Sequence, residues 1–582
     1  LRYFPMSILT SYFAFVIPRR RFFLWLIFVT LTVFLVPSRS EANEAEIRDL
    51  LIQFGDKKSS VRKSALIGLA EYEDERLVSL LDAYKLRQLF IWNNERIVLC
   101  KEVQNGVAYL QDPLTGKKVQ DPSNNQQYQV PIKNLKAIRP ARQERNLAEN
   151  IKSLLKLASS NFDTRFSGVK KCGELRTIKA LGQLNDLALR KLESLTKEDT
   201  DKKIRRVAKE SALLIQIHQT PLKMDLDKHL AIVKQLGSTK SMRVQKYLEK
   251  MLKSIKKDKD ADPQIQRTYG KTIRKIDTYQ GRISFLANLF FGISLGSVLI
   301  LMALGLAITF GLMGVINMAH GELMMIGAYT TFEMQKLFKH TIENPNNWYY
   351  VFALPASFLA AAFIGFLIEI LVVRHLYKRP LESLLATWGI GLILIQAVRL
   401  RYGDNIGVNA PTYLRGGIEL IQDFILPYNR CFIIALCTLS VLFIYYLMHY
   451  TELGLKMRAT MQNRDMASSL GVNTNFVDRY TFAFGSGIAG IAGYAWTLIG
   501  GVTPDMGQTN FIVDSFLVVV TGGVGEIIGV VCSGLGIGII TKAIEPTTGT
   551  IWAKIFLLMA VVVFIQFKPS GLFAPKGRLA DD

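Results

Sequence analysis

A succession of apolar runs through the second half of the chain limits its fold more than any other feature. They occupy residues 286–312, 319–338, 350–373, 383–400, 430–449, 477–500, 511–524, 527–544 and 551–567. A helix needs about 20 apolar residues to cross a hydrocarbon core, so the expected fold class is an all-α polytopic membrane protein with about 8–9 transmembrane segments. The pair 511–524 and 527–544 is ambiguous, since one of the two reads as short, broken or re-entrant.

Composition conflicts with a single soluble domain. Of the 582 residues, 49% are hydrophobic, yet the formal net charge is +23. Segregation resolves the conflict: residues 41–282 are dense in Lys, Arg, Asp and Glu, while 283–567 are mostly apolar. A nucleic-acid partner is not expected. The lysines alternate with acids along helical stretches, without a stacking pattern of aromatic residues or a recognised motif. The five cysteines have no metal-ligand spacing, and no metal or cofactor is expected. Cys100 and Cys172 fall in the charged half, where export would allow them to pair.

The N-terminal half reads in order. Met6 is a candidate start. Arg19-Arg20-Arg21 precedes a fifteen-residue apolar run, Phe22 to Val36, and small residues follow in Pro37-Ser38-Arg39-Ser40. This pattern predicts a signal peptide over residues 1–40 and export of the domain at 41–282. That domain is expected to be mainly α-helical, because apolar residues recur at three- and four-residue spacing. Val61-Arg62-Lys63 recurs loosely as Val169-Lys170-Lys171 and as Ile204-Arg205-Arg206, each shortly after an Asp (Asp56, Asp163, Asp201). This suggests stacked, HEAT-like helix pairs, with an ordinary helical bundle as the alternative. Short apolar runs separated by Asn93-Asn94 and Asn105-Gly106, with a turn at Asp112-Pro113-Leu114-Thr115-Gly116, predict a small β insert at about 89–139. The chain contains no Walker-type loop, so ATP is handled elsewhere.

The membrane half, 283–582, carries its own orientation signals. Basic loops at Arg374–Arg379, Lys456–Arg464 and Lys568–Arg578 should be cytoplasmic. The stretch Thr309-Phe310-Gly311-Leu312-Met313-Gly314-Val315-Ile316-Asn317-Met318-Ala319-His320-Gly321-Glu322 puts three polar groups where lipid-facing sequence would be uniformly apolar. Such groups face a bundle interior or a cavity, and the accompanying glycines allow close helix approach or a break. A second stretch, residues 452–472, is a basic amphipathic loop. In it Asn463, Ala467 and Gly471 are spaced by four, which places them on one helix face.

These stretches resemble those of a known family. The first is similar to the Gly-x-x-x-Gly-Val-Ile-Asn-x-Ala-His-Gly-Glu segment of permeases in ABC importers for branched-chain amino acids, amides and urea. The resemblance covers Asn288 to about Arg578. The 452–472 loop resembles the coupling loop that docks onto the ATPase, with Gly454, Arg458, Ala459, Asn463, Ala467 and Gly471 as its matching positions. Arg379-Pro380-Leu381-Glu382-Ser383-Leu384-Leu385-Ala386-Thr387-Trp388-Gly389-Ile390 looks closer to the urea-type members, as does the exported domain with its Asp-Pro-Leu-Thr-Gly turn. Gly391 departs from the pattern, which has a hydroxyl residue there. Gly571–Arg578 closes the chain as in the superfamily.

The resemblance implies a permease subunit of an ATP-driven importer, most consistent with urea, in a bacterial inner membrane and without catalysis of its own. Its implied partners are a related second permease subunit, two ABC ATPase subunits and an exported substrate-binding protein. Asn317, His320, Glu322 and Thr387 are the candidates for the translocation path, with Asn409 a further one. Glu322 and Glu369 have structural alternatives, such as pairing with helix ends or with Arg374. The exported loop Gly403–Pro411 is placed to meet a binding protein, or is simply a turn-rich loop. The nearest alternative changes only the cargo, to branched-chain amino acids or short amides. A membrane-anchored sensor is a different class. An intramembrane hydrolase built on His320 and Glu322 lacks His-Glu-x-x-His spacing.

Overall fold

The computed structural model describes residues 39–573 except 73, 94–95, 102, 105–106, 121–126, 175–181, 221–224, 258–261, 342–347 and 378. The expected signal peptide lies outside the described residues except for positions 39 and 40, and 574–578 of the closing motif also lie outside them. The chain divides into two units, with Asp277 the last residue of the first and Thr278 the first of the second.

The first unit opens with α1 (Arg39–Ile52), α2 (Ser59–Leu69) and α3 (Arg76–Lys85). Six short strands follow: β1 (Leu89–Trp92), β2 (Arg96–Leu99), β3 (Val103–Gln104), β4 (Val107–Tyr109), β5 (Gln129–Pro131) and β6 (Lys136–Ala137). They form two antiparallel three-stranded sheets, ordered β2-β1-β6 and β3-β4-β5. Asn93 takes the left-handed conformation (φ 52°) where β1 turns into β2. Asp112 makes the expected turn by accepting from the N–H groups of Leu114 and Thr115, and Gly116 completes it at φ 68°. The helices α4 (Arg142–Leu155), α5 (Phe162–Cys172), α6 (Gly182–Glu198), α7 (Lys202–Gln219), α8 (Leu226–Thr239) and α9 (Met242–Ile255) come next. Each packs on a sequence neighbour: α4 on α5, α6 on α7, α7 on α8.

Polar start signals set several of these helices. Asn161 caps α5, while Asp201 caps α7 and Asp225 caps α8 through their carboxylates. Two arginines in the first turns, Arg62 and Arg165, make matching contacts to the chain before their helices. Arg62 donates to the Asp56 carbonyl (2.6 Å) and Arg165 to the Ser159 carbonyl (2.8 Å), each six residues back. The sequence register is therefore corrected. Arg62 matches Arg165, five residues before the alignment of Val61 with Val169, because the helix start and not the apolar pattern repeats. Cys100 and Cys172 are both free and sit in different apolar clusters, so they do not pair. Burial pushes their thiols up to about 11 and about 12.

Helix α10 (Pro263–Met313) contains the unit boundary. The second unit continues with α11 (His320–Thr341), α12 (Tyr349–Leu371), α13 (Pro380–Tyr402), the hairpin β7 (Gly417–Ile421) and β8 (Phe424–Pro427), and α14 (Tyr428–Tyr450). It ends with α15 (Glu452–Gln462), α16 (Arg464–Ser469), α17 (Thr474–Trp496), α18 (Ile512–Gly522), α19 (Ile527–Thr548) and α20 (Thr550–Phe567). Among the described residues, six helices are long and apolar enough to cross a membrane: Pro263–Gly311, Tyr349–His375, Leu381–Tyr402, Tyr428–Tyr450, Ile527–Thr548 and Thr550–Phe567. Of the other apolar runs, α11 is long enough but carries Glu322, Glu333, Lys336 and Lys339, and α17 is long enough but less apolar, with four glycines (485, 487, 490, 493) besides Asp478 and Arg479. The run at 511–524 yields only the 11-residue α18 after a π-helical turn at Gly507–Phe511. At 1.5 Å per residue, α18 is about 17 Å long, too short to span.

Small residues hold this unit together. α11, α12 and α17 pack pairwise on one another. Gly292 and Gly296 of α10 meet Gly534 and Gly538 of α19, a four-residue glycine spacing on both helices. A Cβ at Gly296 would stand 2.8 Å from the Gly534 carbonyl oxygen, so only glycine allows this approach.

Candidate functional site: a helix break lined by unpartnered polar groups

Gly314 ends α10 in the left-handed conformation (φ 65°), and the chain stays non-helical until His320 opens α11. The family-like stretch is therefore a break between two helices, buried in the core of the second unit. Asn317, His320, Glu322 and Thr387 are each at most 2% exposed.

The break is tied on three sides. The Asn317 side-chain oxygen accepts from the Ala319 N–H (3.0 Å). Thr387, on α13, accepts from the Met318 N–H (3.1 Å) and donates to carbonyls of its own helix. The His320 Nε2 lies 3.1 Å from the Met302 carbonyl of α10, so it carries the proton, an assignment made from the hydrogen bond. Gly305 makes room for this ring, since a Cβ there would come within 2.9 Å of it.

Three side-chain atoms at the break find no hydrogen-bond partner among the described residues: Asn317 Nδ2, His320 Nδ1 and Glu322 Oε2. A buried polar atom without a partner costs about 1–3 kcal/mol. Glu322 faces α13 at Gly391, where a Cβ would stand 3.1 Å from its carboxyl carbon. The one departure from the family pattern thus lies directly against the buried carboxylate. Thr387 and Gly391 are four residues apart and share the face of α13 turned to the break. On the other side Gly321 meets the π-helical turn, where a Cβ would come within 2.7 Å of the Gly507 carbonyl carbon. π-turns within helices occur often at functional sites.

The structure gathers Asn317, His320, Glu322 and Thr387 and leaves Asn409 out. Asn409 is exposed in the loop after α13, its N–H donating to Gln335 and its carbonyl accepting from Tyr349. Glu369 does not pair with Arg374, which is exposed. It accepts from the Tyr377 hydroxyl (2.7 Å) and lies 3.6 Å from Arg479 on α17. Sequence reasoning missed the roles of Gly305 and Gly507. A glycine within an apolar helical run was the only signal for Gly305, and Gly507 falls between the runs 477–500 and 511–524, with no signal of its own. Among the described residues, no three His, Cys, Asp or Glu side chains gather closely enough to hold a metal ion.

The 452–472 loop folds as α15 and α16. Its expected single face is corrected, because the helix breaks at Asn463. That side chain caps α16 by accepting from the Met466 N–H, and Gly471 lies beyond the helix at φ 88°. Asn463 is thus a start signal and Gly471 a stop signal, with only Ala467 of the three buried between them. Gly454 is also buried. A side chain there would collide with the Leu447 and Met448 carbonyls, so Gly454 permits the sharp turn from α14 into α15. Arg458 and Ala459 are half-buried. Leu455, Met466 and Leu470 are 61%, 59% and 79% exposed, so the loop carries three exposed apolar side chains. Arg464 ties the loop to the helices behind it. It pairs with the buried Asp478 of α17 and lies over the Tyr377 ring.

Residues 288–566 match a family model described as the permease component of branched-chain amino acid transport systems. Among curated relatives, the high-affinity branched-chain amino acid transport system permease protein BraD of Pseudomonas aeruginosa is 26% identical over 294 residues, covering 50% of this chain and 95% of that one. The high-affinity permease protein LivH of Escherichia coli K12 is 28% identical over 303 residues, with the same coverage. A probable LivH permease of Methanocaldococcus jannaschii is 25% identical over 299 residues, 47% of this chain and 88% of that one. No solved structure matches the chain.

Proposed function

Because residues 288–566 match a family model described as the permease component of branched-chain amino acid transport systems, we propose that the chain is the transmembrane permease subunit of an ATP-driven importer in the inner membrane. The observation that carries this reading is the buried break at 314–320 with its three unpartnered polar atoms. A polar cargo passing the break would supply the missing hydrogen bonds and offset their cost only while it is there. Asn317, His320, Glu322 and Thr387 line the path. Glu322 accepts N–H groups, and Asn317 Nδ2 donates to a carbonyl.

The cargo that suits these groups is small and rich in N–H donors, namely urea or a short amide. That choice rests on the resemblance of the 379–390 segment and on a cluster that needs no fixed ion pair. The names of the relatives favour a second reading, a branched-chain amino acid. Its ammonium would meet Glu322 and its carboxylate the start of α11.

Loop 452–472 is the ATPase docking element. Leu455, Met466 and Leu470 present its apolar surface, and Arg464–Asp478 passes its movement to α17. Two ATPase subunits, a second related permease and an exported binding protein complete the complex. Residues 41–282 form an exported, HEAT-like domain behind a cleaved signal peptide. ATPase activity of the reconstituted complex, stimulated by its binding protein loaded with urea or with leucine, tests the assignment. Stimulation by urea alone supports the first cargo. Stimulation by leucine alone leaves the importer standing and removes urea. Failure to assemble with any ATPase removes the importer.

A further inference from the structure

The net positive charge of this protein falls almost entirely on one side of the unit boundary. Residues 1–277 hold 52 Lys and Arg against 31 Asp and Glu, and residues 278–582 hold 19 against 17. Part of that excess collects in one groove of the first unit, between α8 and the start of α10. The groove has a volume of about 450 Å³ and is lined by Lys234, Gln264, Arg267, Thr268, Lys271 and Lys275. Gly237 lets the two helices come together, since a Cβ there would stand 2.6 Å from the Thr272 methyl.

Lys234, Arg267, Lys271 and Lys275 are all exposed, and none forms an ion pair with a described acidic residue. Arg267, Lys271 and Lys275 recur every four residues, so they stand on one face of α10, about 6 Å apart along its axis. Like charges at that spacing destabilise a helix. An anion in the groove would remove this repulsion, and the Gln264 side-chain amide adds a neutral hydrogen-bond donor beside the cations, while the Thr268 hydroxyl donates to the Gln264 carbonyl.

Chain length says which anion is within reach. Ile283, where the apolar half begins, is only eight positions after Lys275, and Arg282 is the last residue before it. Eight residues span at most about 28 Å when fully extended and about 12 Å as a helix. However the two units are arranged, the chain keeps Lys275 within about 28 Å of the start of the apolar half. Basic segments at such positions attract anionic lipid.

We propose that the groove between α8 and α10 binds the phosphate headgroups of anionic lipids, which tether the first unit to the membrane surface. The proposal depends on membrane insertion of the second unit but not on the cargo or on the ATPase partners.

The test uses the full chain in uncharged detergent, titrated with acyl-labelled phosphatidylglycerol or phosphatidylcholine. One variant carries Lys234→Gln, Arg267→Gln, Lys271→Gln and Lys275→Gln. A control removes the same charge from α9, with Lys246→Gln, Lys250→Gln, Lys253→Gln and Lys256→Gln. A third variant keeps the charge, with Lys234→Arg, Lys271→Arg and Lys275→Arg. The expected result is a loss of phosphatidylglycerol affinity of about tenfold or more in the groove variant, with the α9 control and the arginine variant near wild type. Phosphatidylcholine should bind weakly to all four proteins, and millimolar inorganic phosphate should not displace the lipid. Equal losses in the groove and α9 variants would reduce the effect to net charge and overturn the proposal. So would equal binding of the two lipids. Displacement by inorganic phosphate would overturn the lipid assignment in favour of a free-anion site.

Discussion

Replacing Gly321 with alanine should damage the break without touching any of its polar groups. The new Cβ would stand 2.7 Å from the Gly507 carbonyl carbon, 2.9 Å from its oxygen and 3.0 Å from its Cα. Ordinary contact begins near 3.4 Å, so α11 and the π-turn must give by about 0.4–0.7 Å at these atoms. All three opposing atoms are backbone, so no rotamer change relieves the overlap. Forced overpacking of this kind costs about 1–3 kcal/mol. For a unit of this size that corresponds to a fall in Tm of roughly 2–12 °C. Thermal unfolding of the full chain in detergent would measure it. Gly507→Ala opens the same contact from the other side, so the double variant should lose clearly less than the sum of the two. Gly389→Ala is the control, because nothing lies within 4 Å of its Cβ position in α13, and alanine there should be neutral or slightly stabilising. A Gly321→Ala protein that melts with wild type, or strict additivity with Gly507→Ala, would refute the close backbone approach.

Three further predictions address the path, the coupling loop and the first unit. Glu322→Gln keeps the shape but removes the charge; if the carboxylate meets cargo, binding-protein-stimulated transport should fall about tenfold or more while Tm changes little. Asp478→Asn and Leu470→Asp should each lower cargo-stimulated ATPase activity, the first with the ATPase still bound and the second through loss of its binding, measured by co-purification. In the first unit, burial pushes the Glu144 carboxyl upward, but hydrogen bonds from Arg62, Ser59 and the Ala141 N–H outweigh it and hold the group below its usual range. A lowered carboxylate contributes stability above its unfolded value, near 4.3, and loses it as pH falls through the folded value. Amide protection, corrected for the intrinsic exchange rate at each pH, should therefore fall over residues 59–69 and 142–155 of the full chain below about pH 4. Glu144→Gln should cost about 1–3 kcal/mol at neutral pH and flatten that acid dependence.

Much of the site was legible because hydrocarbon makes polar residues conspicuous. Asn317, His320, Glu322 and Thr387 stand out in apolar sequence, and the fold brings all four to one break. Asn409 looked similar but belongs to an exposed loop, since nothing in its spacing distinguishes a path from a turn. The pairing of Glu369 was not legible either. Arg374 is near in sequence, but Arg479 comes 110 positions later on a helix packed against α12. The four-residue spacing of Asn463, Ala467 and Gly471 suggested one helix face. The same residues carry stronger local signals, an Asn cap and a glycine stop, and these broke the helix.

The sequence by itself determined the division into a charged half and an apolar half, the helical class, and the identity of the polar groups. Those follow from local periodicity and from the cost of burying charge in hydrocarbon, which need no knowledge of neighbours. Only the tertiary structure decided which glycines are contacts and which are free, that Gly391 lies against Glu322, and that three polar atoms at the break lack partners. Each depends on the distance between helices far apart in sequence, and no residue spacing along one chain encodes that distance.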